Sequence, residues 1–127
     1  MSVTHLNPDS MHRSPAFSQG VVATGTRTVY VGGQNGADAH GQIEGDLVAQ
    51  TAQALRNVIT VLAEAGATQD DVVRMTIYLQ ADQDVQEGFA ASQEVWGMHA
   101  VPIVVVLVPA FGRPDALVEI DAIAVLD

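Results

Sequence analysis

The chain has 127 residues, close to the commonest size of one domain, and 48% of them are hydrophobic, so residues 1–127 are expected to form a single domain. Cysteine is absent, which excludes disulfides and thiolate chemistry. Fifteen acidic residues oppose five basic ones, all arginine, and the net charge of −10 disfavours nucleic acid as a partner. Since neither a secretory leader nor a membrane-spanning segment is evident, we expect a cytoplasmic protein without a membrane partner.

The N-terminal part of the chain shows two patterns. Residues 1–14 lack apolar periodicity and are expected to form an extended arm. From Phe17 onward, two short β-rich segments flank residues 24–27, which is typical of a hairpin. Gly25 is expected to adopt the turn conformation that other residues avoid.

A long helix is predicted next. Asp46 is a suitable N-cap, and Gly66 is a suitable residue to follow the last turn. Apolar residues recur between them at steps of four and three, so the inner stripe is expected to be Val48, Ala52, Leu55, Ile59 and Leu62.

A strand and a second helix follow. Residues 71–79 alternate between an apolar face and a mixed face, which predicts a strand. Asp84 is expected to open a helix whose inner stripe is Val85, Phe89, Ser92 and Trp96.

The C-terminal part predicts two more strands. Residues 103–108 are all apolar, which is typical of a strand covered on both faces. The last strand, Leu117–Val125, places Glu119 and Asp121 on one face. These elements predict an α+β or mixed α/β fold in which two helices cover one face of the sheet, and we favour α+β. Because a bare apolar face needs a cover, we expect a closed homo-oligomer.

Five segments together resemble the Rid family, also called the YjgF/YER057c/UK114 family: "SPAFSQG", "VYVGGQNG", "QTAQALRNVITVLAEAGA", "DDVVRMTIYL" and "ALVEIDAIAVLD". The resemblance covers roughly residues 14–127. It implies a chorismate-mutase-like fold, assembled as a homotrimer with a ligand cleft at each subunit interface. It also implies an enamine/imine deaminase, which hydrolyses reactive imines to a 2-keto acid and ammonia and needs no cofactor or metal.

The resemblance assigns one catalytic residue and shows that one substrate-binding residue of the family is missing from this chain. Glu119 matches the family's acid, proposed to hold or polarise the attacking water. The arginine with which the family's deaminases clamp the substrate carboxylate falls on an uncharged residue between Ala100 and Val104. No Arg or Lys occurs from Met75 to Gly112.

Three further substrate-binding positions of the family also differ in this chain. The family's tyrosine falls on Phe17, its serine on Gly32, and an asparagine of the second helix on Phe89. The cleft is therefore expected to be more apolar than in the deaminases. Losing a charge-assisted hydrogen bond of about 1.5–3 kcal/mol is expected to weaken substrate binding roughly ten- to a hundredfold or more.

Two hypotheses for the function follow. In the first, the trimer binds a small metabolite and imine deamination is weakened or lost. In the alternative, deamination persists because backbone N–H groups and another cation hold the carboxylate, with His99, Arg113 and Arg13 as candidates. An endoribonuclease activity is disfavoured by the charge. The four histidines are scattered singly, so no metal site is expected.

Overall fold

The structure is a computed structural model that describes residues 2–127. Its two helices are α1 (Leu47–Glu64) and α2 (Val85–Trp96). A 3-10 turn at Gln69–Asp71 precedes the fourth strand. The six strands, in chain order, are β1 (Ser2–Leu6), β2 (Gly20–Thr24), β3 (Arg27–Gln34), β4 (Val72–Gln80), β5 (Ile103–Val108) and β6 (Val118–Leu126).

The main sheet has four strands in the order β3-β6-β4-β5. β4 and β5 run parallel, whereas β6 is antiparallel to both β3 and β4. Both helices pack on one face of this sheet, and we call the opposite face the open face. The predicted α+β fold with two helices on one side of a mixed sheet is therefore confirmed.

β6 shows how the sequence separates the two faces. Its residues alternate between buried and half-buried along the whole strand. Val118, Ile120 and Ala122 face the helices and belong to the hydrophobic core, while Glu119 and Asp121 lie on the open face. The prediction that these two carboxylates share a face is confirmed, and the physical reason is the period of two in a strand.

The predicted hairpin is wrong. β2 pairs with β1 in a separate two-stranded sheet, whereas β3 pairs with β6. The segment predicted as an extended arm thus contains a strand that takes the hydrogen bonds expected from β3. The Thr26 N–H donates to the carbonyl of Leu126, so the chain between β2 and β3 crosses from one sheet to the other.

The expectation for Gly25 is also wrong. Positive φ angles occur at Gly41, Gly45, Gly66 and Gly97, and Gly25 is not among them. Instead, a Cβ at Gly25 would lie 2.8 Å from the Leu126 carbonyl oxygen and 2.8 Å from Cγ1 of Val125. Glycine is needed here because β6 passes so close.

Both predicted ends of α1 are confirmed. The Asp46 side chain accepts a hydrogen bond from the Ala49 N–H at 3.0 Å, and Gly66 follows the C-cap with φ of +80°. The buried stripe of α1 is rotated around the helix relative to the predicted one, however. Leu55 and Leu62 are fully buried, but Val48 is 41% exposed.

The rotation of α1 is explained by a buried glutamine. The Gln50 side chain donates to the carbonyls of Gly45 and Asp115 and accepts from the Leu117 N–H. These bonds tie the first turns of α1 to the loop before β6. Since every polar group of the amide has a partner, its burial is tolerated.

α2 begins as predicted after Asp84, whose side chain accepts from the Gln86 N–H. Its packing differs from the prediction, because the buried residues are Gly88, Ala91 and Trp96. Phe89 is 48% exposed. Small residues at the helix contact let α2 approach the core closely, which leaves the larger Phe89 at the periphery.

β5 is an edge strand, and it was expected to be covered on both faces. Within the chain it pairs with β4, and its four central residues are exposed: Val104, Val105, Val106 and Leu107. An apolar edge strand of this kind is a surface on which another chain can pair or pack.

No helix within residues 2–127 combines the length and the apolar character needed to cross a membrane.

Candidate functional site

Glu119 lies in the middle of the open face. Across the sheet it pairs with Tyr78 on β4, and Asp121 pairs with Thr76. Its carboxylate has no hydrogen bond or ion pair with any side chain in the described part of the molecule. An acid that is half-buried and unpartnered is available to bind water or a ligand.

A glycine makes room for this acid. A Cβ at Gly33 would lie 2.8 Å from the Glu119 carboxyl carbon and 2.9 Å from its Oε2. The Glu119 side chain therefore lies directly across the β3 backbone at this point. At the neighbouring Gly32 a Cβ would meet nothing within 4 Å, so the position predicted to contact substrate faces open space.

Phe89 lies on the other face of the sheet, and Phe17 borders cavities on both faces. Together they border an apolar cavity of about 290 Å³ between the helices and the sheet. Met75, Ile77 and Val105 on the same wall belong to the helix-covered face. Within one chain, the sheet thus separates Phe89 from Glu119, whereas Phe17 also borders a cavity on the open face. The predicted site is divided into two parts, with Phe17 at the border between them.

His99 lies outside both parts of the predicted site and is held there by an acid. Its Nδ1 lies 2.8 Å from Oδ1 of Asp70, and its ring meets Trp96 edge to face at 6.3 Å. It borders a polar cavity of about 240 Å³ with His5 and Ser18. As a substitute cation it would first have to leave Asp70.

Arg113 is held by Asp115 in a two-pronged contact. Its Nε and Nη2 donate to the two carboxylate oxygens at 3.3 and 3.1 Å, and its Nη1 donates to the Gly41 carbonyl. The hydrogen bond from Arg113 holds the pKa of Asp115 below its ordinary value of 3.8. The geometry suits loop anchoring.

Arg13 is likewise engaged within the N-terminal segment. Its Nη2 donates to the Asn7 carbonyl at 2.7 Å and lies 3.3 Å from the Asp9 carboxylate. All three cations predicted as substitutes for the missing arginine are therefore bonded to groups near them.

A fourth candidate cation, Arg74, was not predicted from the sequence. Arg74 is exposed on β4, pairs with Ile123 of β6, and forms no hydrogen bond or ion pair through its side chain within residues 2–127. It borders a surface cavity of about 440 Å³ together with Phe17 and Val104. Val104 lies in the segment where the family's arginine is expected. A guanidinium from the neighbouring strand thus reaches the region of the lost one.

The alternation of β4 is a signal that could have identified Arg74. Arg74 lies two residues before Thr76, which faces Asp121, and four residues before Tyr78, which faces Glu119. What the sequence did not reveal is that β4 and β5 are parallel neighbours, with Thr76 beside Val104. That register depends on tertiary structure.

Ser18 has a histidine partner that its spacing did not predict, yet the pair is unsuited to nucleophilic catalysis. Ser18 Oγ contacts Nδ1 of His5 and donates its single proton to the Ala100 carbonyl at 2.8 Å. The histidine nitrogen must then be the donor. A general base would have to accept that proton instead.

Among residues 2–127, no three histidine, aspartate or glutamate side chains are grouped in a way that could hold a metal ion.

The topology and the acid on the open face define a chorismate-mutase-like α+β domain. The sequence profile of the family described as endoribonuclease L-PSP matches residues 8–126. The chain belongs to this family, the Rid or YjgF/YER057c/UK114 family.

Known proteins agree with this assignment. A RutC family protein of Pyrococcus abyssi is 35% identical over 76% of each chain. The goat 2-iminobutanoate/2-iminopropanoate deaminase is 35% identical over 86% of this chain and 79% of its own. The crystal structure of a Rid family protein of unknown function from Yersinia pestis aligns with a TM-score of 0.85 at 34% identity, covering 99% of this chain and all of that one (100%).

Proposed function

We propose that this protein is a homotrimer that binds a small metabolite in clefts between its subunits, with imine deaminase chemistry weakened or lost. The observation that carries the proposal is the unpartnered Glu119 on an open face where the edge strand β5 presents Val104 and Val106. The resemblance implies that the arginine of the deaminases would fall at or just before Val104. Glu119 would order a water molecule. The apolar neighbours would favour a ligand less polar than an imino acid.

The exposed apolar surface supports the assembly. Tyr30 is 75% exposed on β3, and β5 exposes Val104 and Val106 at the other end of the same open face. A lone chain would leave this apolar surface in water, and a closed ring of subunits removes it. The same packing would bring residues of a second chain over Glu119 and complete a cleft.

Arg74 favours a second candidate function, an active enamine/imine deaminase. In this candidate the free guanidinium of Arg74 binds the substrate carboxylate, and Glu119 directs water to the imine carbon. The goat relative is named for this reaction, at 35% identity. A guanidinium can bind a carboxylate through two hydrogen bonds. Unlike His99, Arg113 and Arg13, Arg74 is bonded to no other group within residues 2–127.

One assay separates the two candidates. 2-Iminopropionate is generated in situ, and its disappearance is followed with the wild type, Glu119→Gln and Arg74→Gln. If deamination is lost, the wild type does not exceed the uncatalysed rate. If the reaction persists, we expect Glu119→Gln to abolish it and Arg74→Gln to lower kcat/KM about ten- to a hundredfold, mainly through KM.

Arg56→Gln is the matched control, because Arg56 is an exposed arginine of α1 whose side-chain contact is a 3.4 Å bond to Gln53. It should leave the rate unchanged. A wild-type rate enhancement that depends on Glu119 would contradict the first proposal. An enhancement indifferent to Arg74→Gln would contradict the role of Arg74.

The charge disfavours RNA cleavage, although the family is described as endoribonuclease L-PSP. A net charge of −10 repels a phosphate backbone, and Arg13 and Arg113 are already bonded to acids. We expect no binding of single-stranded RNA at 150 mM salt in a filter-binding titration. Salt-insensitive RNA cleavage by highly purified protein would contradict this expectation.

A further inference from the structure

The apolar cavity beneath α2 contains polar groups that the fold does not satisfy. The hydroxyl of Thr51 on α1 and the indole N–H of Trp96 on α2 are both buried and have no hydrogen-bond partner within the described residues. Thr51 is 2% exposed and Trp96 4%. Both residues border the cavity. Buried polar groups are nearly always paired, so two unpaired groups in residues that border one cavity require an explanation.

Apart from Ser92 and Gln93, the rest of the lining is apolar. Aliphatic side chains come from α1, β4 and β5, including Leu55, Ile77 and Ile103, and Phe17 and Phe89 stand at the border. Within residues 2–127, no charged side chain lines the cavity. A charged ligand would lose its hydration there without compensation, so the cavity excludes one.

The size of the cavity suits a small molecule. Its volume of about 290 Å³ is near the lower limit of ordinary ligand pockets, while an apolar cavity of about 150 Å³ already accepts benzene. One water molecule bonded to Thr51 and Trp96 would take up only about 30 Å³. Most of the cavity would then stay unfilled, so a larger molecule with an apolar body fits it better.

From these observations we infer that each subunit holds a binding site for a small, neutral, largely apolar molecule bearing one hydrogen-bond acceptor such as a carbonyl. The Trp96 indole N–H and the Thr51 hydroxyl donate to that acceptor, and the aliphatic wall surrounds the remainder. The site goes beyond the proposed function, because it lies inside one subunit and on the opposite face of the sheet from Glu119.

Trp96 is the only tryptophan of the chain, so its indole N–H gives a single identifiable resonance in a ¹⁵N–¹H correlation spectrum. Acetophenone is the probe, with ethylbenzene as the analogue lacking the acceptor and benzoate as the charged analogue. We expect acetophenone to produce a saturable downfield shift of the indole proton. Ethylbenzene should bind about two- to tenfold more weakly without that shift, and benzoate should not bind.

Ser92→Leu tests the location, because Ser92 borders the cavity and a leucine there would fill part of it. Its matched control is Ala90→Leu, an exposed position on the same helix. Ser92→Leu should weaken acetophenone binding at least about tenfold, as expected when an apolar site is filled. Ala90→Leu should leave the dissociation constant unchanged.

Thr51→Val is the second variant, which keeps the shape of the side chain and removes the hydroxyl. It should reduce the preference for acetophenone over ethylbenzene by about two- to tenfold, the value of one hydrogen bond. It also keeps the site testable if Ser92→Leu does not fold.

Glu119→Gln should leave acetophenone binding unchanged, so failure of this site and failure of the proposed function are distinguishable. The inference is overturned if the indole resonance does not shift saturably, if ethylbenzene and acetophenone bind equally, or if Ser92→Leu binds as the wild type does.

Discussion

The two faces of the main sheet differ in how completely one chain satisfies them. On the helix-covered face, Val118 and Ile120 of β6 are fully buried by α1 and by their strand neighbours. On the open face, Tyr30 and Val106 remain exposed, and Glu119 has no partner within residues 2–127. One face is the core of the domain, whereas the other has the properties of an interface that a single chain leaves incomplete.

This difference places the residues that stabilise the core and the candidate catalytic acid on opposite sides of one strand. β6 contributes core residues and the candidate catalytic acid in strict alternation, so a shift of its register by one residue would exchange the two sets. The register is fixed on both edges, because β3 and β4 both pair with β6. The acid is therefore held by one of the two central strands of the sheet, which suits a positioned functional group.

The largest expected effect comes from truncating matched isoleucines of β6. Ile120→Ala removes a fully buried side chain and should lower the free energy of unfolding by about 2–5 kcal/mol. Ile123→Ala, on the half-buried open face, should cost about 1 kcal/mol or less in the isolated subunit. Urea unfolding at several protein concentrations measures both, and equal losses would remove the distinction between the faces.

A charged substitution on the open face tests whether this face is an interface between subunits. Val106→Glu places a charge on β5 and should convert the assembly to monomers, because an interface that buries an unpaired carboxylate is strongly destabilised. Light scattering coupled to size-exclusion chromatography gives the mass.

Val48→Glu is the matched control for this experiment, since Val48 is an exposed valine on the outer side of α1. It should leave the mass unchanged. A wild type that is monomeric at all concentrations would contradict the proposed trimer, and so would a Val106→Glu variant with unaltered mass.

The position of Glu119 can be tested through two adjacent glycines. A methyl group at Gly33 would collide with the Glu119 carboxylate, whereas one at Gly32 has free space. Because the obstructing atoms are the end of a flexible side chain, Gly33→Ala should cost less than about 1 kcal/mol yet displace the carboxylate. The ¹³C resonance of the Glu119 carboxyl should move in Gly33→Ala and stay in Gly32→Ala, and the reverse pattern would contradict the placement.

The smallest expected effect concerns the loop before β6. Arg113→Gln should let the pKa of Asp115 rise toward 3.8, which NMR titration of the Asp115 carboxyl measures. A carboxyl whose pKa is lowered on folding stabilises the protein above its unfolded pKa, and this contribution is lost as the pH falls through the lowered value. Arg56→Gln should leave the Asp115 titration unchanged, and an unshifted Asp115 in Arg113→Gln would refute the pairing.

The sequence by itself determined the features that depend on neighbours along the chain. The caps of α1 at Asp46 and Gly66 and the alternation of Glu119 and Asp121 in β6 were predictable, because capping and strand period involve only a few consecutive residues. The resemblance to the Rid family, carried by motifs spread along the chain, supplied the family and the prediction of Glu119 as the acid.

Only the tertiary structure decided which distant segments meet. Hydrogen bonding of β2 to β1 rather than to β3, the separation of Phe89 from Glu119, and the approach of Arg74 to Val104 all depend on contacts between strands far apart in sequence. Local patterns do not contain that information, because a strand with one apolar face can pair equally well with several partners until the whole core is packed.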